Sequence, residues 1–152
     1  MKGLVQRVSE ASVEVDGREV SRIGEGILLL LGVEQEDGQG EAKELCRKIL
    51  NYRIFSDEAG RMNLSVLDAG HALLVVPQFT LVADTSSGTR PGFSRAGRPE
   101  AAQKLYAEFL EFARAEMGAE RVMEGRFGAD MKVSLINDGP VTFMLSASER
   151  QR

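Results

Sequence analysis

The residues that could do chemistry lie in two short segments, "PQFTL" and "NDGPVT". The first follows the apolar run "LLVV" and contains a proline, an amide and a hydroxyl. Proline removes a hydrogen-bond donor from a strand, and a buried glutamine amide needs several partners. In the second, Gly-Pro interrupts two apolar runs, at a dipeptide that tolerates unusual torsions and a cis peptide bond. Taken separately, "PQFTL" is typical of an edge strand or a bulge, and "NDGPVT" is typical of a hairpin turn.

Backbone groups are the expected source of any catalysis, because the inventory of reactive side chains is poor. His71 is the only histidine and Cys46 the only cysteine, so one chain cannot assemble a zinc site from these ligands. Cys46 has the spacing of a core residue in a helix, and His71 lies at a turn. No nucleotide-binding fingerprint occurs. Thr80 has no base at a recognisable spacing, and a threonine nucleophile usually needs one. No metal and no cofactor is expected.

Length and charge predict one soluble domain over residues 1–152. The formal net charge of −4 argues against a general polyanion binder, although it permits a local basic patch. The first residues alternate and carry charge, unlike a signal peptide, and the longest apolar run, "GILLLLGV", is too short to span a bilayer. The cytosol is the expected compartment, with no membrane partner.

The spacing of apolar residues predicts an α+β fold with a mostly antiparallel, barrel-like sheet and two main helices. "LVQRVSEASVEV" and "REVSRIG" predict a hairpin around "DG", and "GILLLLGV" predicts a central strand. Helices are predicted in "GEAKELCRKILNY" and in "PEAAQKLYAEFLEFARAEMG", which starts at Pro99 and stops at Gly118. "HALLVVPQFTLVA" is typical of one strand region. Residues 84–99 have the composition of a long loop. "DMKVSLIND" and "VTFMLSA" predict two strands joined by a tight Gly-Pro turn.

The two segments occur together with "NYRIFSD", "RMNLSV", "TRPGFS" and "GRFGADMKVSLINDGPVTF". This set resembles the D-aminoacyl-tRNA deacylase family, from Met1 to about Ala147. The usual signatures of that family are S-Q-F-T and N-x-G-P-V-T, and the second is met without exception. The resemblance implies a compact barrel-like fold and a homodimer with active sites at the subunit interface. It also implies hydrolysis of the ester that joins a D-amino acid, or glycine mischarged on alanine tRNA, to the terminal adenosine of tRNA.

The resemblance further implies roles for the second segment. Gly139 and Pro140 would form a cis element that enters the pocket of the partner subunit, and Arg7, in "VQRV", would help to hold it. Such a rigid corner leaves little room for the side chain of an L-amino acid. Specificity would then come from rejection of L-amino acids, with breadth across D-amino acids and with glycine accepted.

In the first segment, Thr80 matches the family threonine, and it would position groups instead of attacking, because no base accompanies it. The backbone N–H groups of Gln78 and Phe79 would stabilise the oxyanion that develops at the ester carbonyl. Pro77 replaces the family serine and removes a hydroxyl and a backbone donor. A sister family of tRNA deacylases shares Pro-Gln here, but it has Ala in place of Phe79 and Tyr in place of Val141. Because of Pro77, a related tRNA deacylase with relaxed chirality remains an alternative function for this chain.

Arg90, Arg95 and Arg98 form a basic island, with Asp84 as the one acid nearby before the helix. Composition alone favours a solvated loop. The resemblance implies that these arginines lie near the tRNA end, where phosphates need cations. A non-catalytic module that binds the tRNA end or a translation factor is the alternative from another class of protein.

Overall fold

The computed structural model describes residues 1–148, in which loops join eight strands and three helices. The strands are β1 (Lys2–Val15), β2 (Arg18–Ile23), β3 (Gly26–Gly32), β4 (Phe55–Ser56), β5 (Met62–Leu64), β6 (Ala72–Pro77), β7 (Val122–Glu124) and β8 (Lys132–Ser146). The helices are α1 (Gln39–Leu50), α2 (Val66–Ala69) and α3 (Pro99–Met117), and two 3₁₀ segments cover Phe79–Val82 and Ala119–Arg121. The predicted α+β class is confirmed, with α1 and α3 as the main helices. Within this part of the chain, no helix is long and apolar enough to cross a membrane.

Strand β1 organises the main sheet, because it pairs along both of its edges. The antiparallel partners β3 and β2 lie along one edge, and β8 lies antiparallel along the other. Strand β3 then pairs in parallel with β6, and β6 pairs in parallel with β7. The sheet is therefore mixed, with three antiparallel and two parallel pairings, so it is mostly antiparallel as predicted, and the parallel pairings of β6 are what the sequence did not indicate. Parallel neighbours need a crossover connection, and α1 and α3 lie in the two crossovers.

The two faces of the sheet bury separate apolar clusters. Helices α1 and α3 cover one face, where Ile49 and Phe109 pack with strand residues such as Val5. The opposite face curls around a second cluster, which includes Leu28 and Leu74. Each fully buried aliphatic or aromatic side chain contributes about 1.5–3 kcal/mol to the hydrophobic stabilisation. A curled sheet with helices outside and side chains inside agrees with the predicted barrel-like arrangement.

Local sequence signals set the bounds of several elements. Asp16 and Gly17 have positive φ angles of 51° and 77°, as a two-residue hairpin between β1 and β2 requires. Helix α3 has Pro99 in its first turn, where a missing N–H costs nothing, and it ends before Gly118. These predicted boundaries are confirmed.

Strand β8 is one strand, and the prediction of two strands joined by a turn is wrong. It pairs antiparallel with β1, first through Lys132–Asn137 and then through Thr142–Ser146. The residues between them, Asp138–Val141, bulge out opposite Arg7. Both halves of β8 form their hydrogen bonds with β1. The chain therefore does not reverse its direction at Gly139–Pro140.

Candidate active site

Strand β6 ends at Pro77, where the chain turns into the 3₁₀ segment Phe79–Val82. This turn corrects the prediction of one continuous strand region. Pro77 takes the last ladder position opposite Leu31 of β3, and the next amide, that of Gln78, donates to the Leu31 carbonyl at 2.8 Å. The Gln78 amide is therefore occupied, which corrects the expectation that it donates to an oxyanion.

The amides of Phe79 and Thr80 are the donors that remain in this segment. They begin the 3₁₀ segment, where the first N–H groups have no partner inside the helix. Among residues 1–148, no acceptor forms a hydrogen bond with either amide, and both residues are exposed. Two adjacent free N–H groups at a surface turn can hold a carbonyl oxygen as it gains negative charge.

The Thr80 hydroxyl accepts a hydrogen bond from the side-chain amide of Gln78. This contact partly satisfies the glutamine and fixes the direction of the hydroxyl. Within the described residues, the hydroxyl has no imidazole, carboxylate or amine as a hydrogen-bonding partner. A hydroxyl without a base is a weak nucleophile at neutral pH. The geometry therefore suits Thr80 as a group that positions substrate or water.

Gly32 at the end of β3 allows the 3₁₀ segment to pack closely against the sheet. A Cβ at this position would lie 2.9 Å from Val82 Cγ1, 3.1 Å from Leu81 Cβ and 3.2 Å from the Gln78 carbonyl oxygen. Any side chain would thus push on the turn that presents the free amides. Sequence reasoning did not single out Gly32, although a glycine that ends an apolar strand is a signal for close backbone approach.

Arg7 fastens the bulge that contains Gly139 and Pro140. Its Nε donates to the Asp138 carbonyl at 2.9 Å, and its Nη1 donates to the Ile54 carbonyl at 2.7 Å. The Gly139–Pro140 peptide bond is cis. The guanidinium therefore links the bulge to the segment that leads into β4, in the manner that the resemblance implied for this arginine.

Asn137 closes the base of the bulge. Its Oδ1 accepts from the Val141 amide at 2.7 Å, and its Nδ2 donates to the Val141 carbonyl at 3.2 Å and to Thr142 Oγ1 at 3.0 Å. Gly139, at the exposed tip, has a φ of 144°, which L-residues rarely adopt. Asn137 was missing from the predicted site residues, although the N-x-G-P-V-T signature begins with it.

The two segments lie far apart within one chain. The register of the sheet places Pro77 in the same row as Gly3 of β1, four residues along the strand from Arg7. The bulge at Asp138–Val141 lies beyond β1, three strand spacings from β6. With a spacing of about 4.8 Å and a rise of about 3.3 Å per residue, about 20 Å along the sheet separate the bulge from Pro77.

The surface around the first segment is open. Three clefts, of 380, 730 and 260 Å³, are lined by residues outside both segments. Phe79 and Thr80 are both exposed in the single chain.

The basic island at Arg90, Arg95 and Arg98 is exposed. Within residues 1–148, none of the three guanidinium groups forms an ion pair with a carboxylate. The Asp84 carboxylate accepts from the hydroxyl and the amide of Ser86, at 2.6 and 3.0 Å. These bonds, and secondarily the charge of Arg95, hold the pKa of Asp84 below its usual range. The three cations are thus available to an external anion.

The remaining reactive side chains lie outside both segments. Cys46 is buried in α1, and burial, with a smaller effect of Glu116, raises the pKa of its thiol to about 12. His71 Nε2 lies 3.2 Å from the Glu25 carboxylate, at the end of β6 opposite Pro77. Within residues 1–148, no group of three or more His, Cys, Asp and Glu side chains could hold a metal ion.

Comparison with known proteins identifies the family. The family model described as D-Tyr-tRNA(Tyr) deacylase matches residues 4–146. A protein of Marinobacter nauticus named D-aminoacyl-tRNA deacylase is 67% identical over 150 residues, which cover 99% of this chain and 96% of that protein. The chain belongs to the D-Tyr-tRNA(Tyr) deacylase family. A Vibrio cholerae serotype O1 protein, also named D-aminoacyl-tRNA deacylase, is 56% identical over 147 residues, which cover 97% of this chain and 100% of that protein.

Two solved structures share the fold of this chain. The structure of a c-Myc DNA Unwinding Element Binding Protein superposes with a TM-score of 0.94 at 44% identity, covering 97% of this chain and 99% of that one. A probable eukaryotic D-amino acid tRNA deacylase superposes with a TM-score of 0.86, over 96% of this chain and 98% of that one. At 17% identity, the second likeness concerns the fold alone.

Proposed function

We propose that this chain hydrolyses the ester bond of D-aminoacyl-tRNA and of glycyl-tRNA mischarged on alanine tRNA, releasing free tRNA and the amino acid. Membership of the deacylase family makes it a hydrolase of aminoacyl-tRNA esters. The observation that carries the mechanism is the pair of free amides at Phe79 and Thr80. The protein would act on this substrate in the cytoplasm, where aminoacyl-tRNA is used in translation.

The two amides would act on the ester carbonyl. Water attacks the carbonyl carbon, and the carbonyl oxygen gains negative charge between the N–H groups of Phe79 and Thr80. Collapse of the tetrahedral intermediate breaks the bond to the ribose oxygen, which takes the proton that the attacking water loses and leaves with the tRNA. One such donor is worth about 2.7–4 kcal/mol. The neighbouring 2′-hydroxyl of the substrate can orient the water, and Thr80, held by Gln78, positions these groups.

A second copy of the chain would complete the site. About 20 Å along the sheet separate the bulge from Pro77 in one chain, which supports an arrangement in which Gly139 and Pro140 meet the free amides of another copy. Strand β8 also exposes apolar side chains, as self-association requires. These are Leu135, Ile136, Phe143 and Met144. We therefore propose a homodimer with an active site at each side of its interface.

The Gly139–Pro140 corner would set the chirality. Arg7 and Asn137 hold this exposed corner from two sides, so it cannot yield to a bulky substituent without breaking hydrogen bonds. Placed over the free amides of the other copy, it would collide with the side chain of an L-amino acid. A D side chain would point away into solvent, and glycine has none. The expected specificity is rejection of L-substrates, with Pro77 lining the pocket.

The tRNA would approach over the basic island. Arg90, Arg95 and Arg98 have no ion-pair partners in the described chain, so they can contact phosphates of the acceptor end. The net charge of −4 of the whole chain, which already includes these three arginines, would disfavour binding of nucleic acid at other faces.

Paired binding and hydrolysis assays test the proposal. The purified protein is mixed with D-tyrosyl-tRNA and with glycyl-tRNA on alanine tRNA, and free tRNA and bound tRNA are measured. Turnover of both substrates is expected. Saturable binding without deacylation, in a folded protein, would favour the non-catalytic tRNA-end module.

A deacylase of relaxed chirality is the second alternative, and Pro77 favours it. The residue replaces the serine of the family signature. Hydrolysis of L-tyrosyl-tRNA at a rate comparable with that of D-tyrosyl-tRNA would establish this alternative.

A further inference from the structure

Two exposed phenylalanine rings touch beside the free amides. Phe79 is 63% exposed and Phe93 is 42% exposed, although large apolar rings are favoured inside proteins. Their centroids lie 5.3 Å apart with an interplanar angle of 50°. The Phe79 ring belongs to the residue whose amide faces the substrate carbonyl in the proposed function. The pair, called here the aromatic platform, therefore lies next to the reacting ester.

The loop that carries Phe93 is held by backbone hydrogen bonds on both sides of this residue. Asp84 and Gly92 exchange two backbone hydrogen bonds, of 2.7 and 3.0 Å. Further along, the Arg95 carbonyl accepts from the Gln35 amide at 3.0 Å. Phe93 is thus held in contact with Phe79 before any ligand arrives, which lowers the entropy cost of binding.

The same loop provides positive charge beside the rings. Arg90 and Arg95 lie within three residues of Phe93 in the sequence, and neither forms an ion pair within residues 1–148. Exposed aromatic rings combined with free cations are the pattern that binds single-stranded nucleic acid, because bases stack on the rings and phosphates meet the cations. A protein or lipid partner would not need both features at this spacing.

We propose that the aromatic platform stacks an unpaired base of the tRNA 3′ end, next to the nucleotide that carries the ester. This inference rests on the proposed function, and it adds a second point of contact on the RNA. The Phe79 amide would take the ester carbonyl, while its ring and that of Phe93 take the neighbouring base. Stacking would give affinity without sequence preference, since every base has a π-face.

The test compares two substrates on two variants at one position. D-Tyrosyl-tRNA contains the neighbouring base, whereas D-tyrosyl-adenosine lacks it. Phe93→Leu keeps an apolar side chain without a ring, and Phe93→Trp keeps a ring. Relative to D-tyrosyl-adenosine, kcat/KM for D-tyrosyl-tRNA should fall by about 10-fold or more in Phe93→Leu, mainly through KM. Phe93→Trp should keep the wild-type ratio.

A binding measurement reads the stacking without catalysis. An RNA hairpin that ends in the unpaired tRNA 3′ sequence carries 2-aminopurine in place of its penultimate base. Its fluorescence should be quenched by the wild type and by Phe93→Trp, but not by Phe93→Leu at the same concentration. If the wild type quenches but hydrolyses neither substrate, the proposed function fails while the platform stands.

Three results would overturn the platform. The first is an unchanged kcat/KM for both substrates in Phe93→Leu. The second is an equal loss on both substrates, which would make Phe93 a support of the catalytic turn. The third is a change in molar mass by light scattering in Phe93→Leu, which would show that another copy of the chain covers the rings.

Discussion

Replacing Arg7 by methionine tests whether the Gly139–Pro140 corner must be held against β1. Methionine keeps an apolar stem but removes the donors to the Asp138 and Ile54 carbonyls. A hydrogen bond from a charged donor is worth about 1.5–3 kcal/mol, and the bond to Asp138, which is exposed, counts for less. Only the bond to Asp138 contacts the bulge, so we expect the bulge to lose about 1–1.5 kcal/mol of anchoring, which is about 5- to 12-fold in the population of the anchored form.

The assay is deacylation of D-tyrosyl-tRNA by Arg7→Met, with urea unfolding as a check on folding. We expect kcat/KM to fall by about 5- to 10-fold, because the flanks of the bulge still pair with β1 and Asn137 still closes it, while the bond from Arg7 to its tip is lost. Arg18→Met is the matched control, since Arg18 is exposed on β2 and its guanidinium has no partner within residues 1–148. Wild-type kcat/KM in folded Arg7→Met would refute the anchoring role.

Three further predictions concern the two segments and the cysteine. Gly139→Ala should weaken the discrimination between D- and L-tyrosyl-tRNA, because a Cβ would lie 2.7 Å from Val141 Cγ2 at a φ of 144°; unchanged kinetics on both substrates would contradict this. Thr80→Ala should keep about a tenth or more of wild-type kcat, since one neutral hydrogen bond is worth about 0.5–1.5 kcal/mol, and a total loss with intact folding would reassign Thr80 as the nucleophile. Cys46 should resist thiol reagents at pH 8, below its pKa of about 12, and react in urea; rapid labelling of the native protein would count against its burial.

The elements predicted most accurately from the sequence are those whose bounds depend on residues next to each other in the chain. The Asp16–Gly17 turn and the span of α3 from Pro99 to Gly118 depend on backbone preferences of single residues, and both are present as expected. The β7 strand at Val122–Glu124 was missed, because three residues are too few for a periodic pattern.

The errors in the sheet have a common physical cause, which is pairing between distant strands. Gly139 and Pro140 look like a turn from their composition, yet both flanks of the bulge pair with β1. The parallel pairings of β6 likewise depend on crossovers that no local pattern encodes.

The hydrogen bonds of the candidate site could be predicted from the sequence only in part. Arg7 contacts the bulge as the family resemblance implied. The Gln78 amide is bonded to Leu31, and this depends on the register between β3 and β6, which a single sequence does not fix. Asn137 and Gly32 act through contacts with residues of the turn and the bulge. Their roles could therefore be recognised only from the structure.

The chirality of hydrolysis is the most direct test of the central claim, that free backbone amides stabilise the oxyanion of the ester during attack by water while a fixed Gly-Pro corner excludes L-substrates. The measurement is kcat/KM of the unmodified protein for D-tyrosyl-tRNA and for L-tyrosyl-tRNA on the same tRNA. A ratio of about 100 or more is predicted, since a steric clash worth about 3 kcal/mol or more separates the two substrates. A ratio near one would contradict the account.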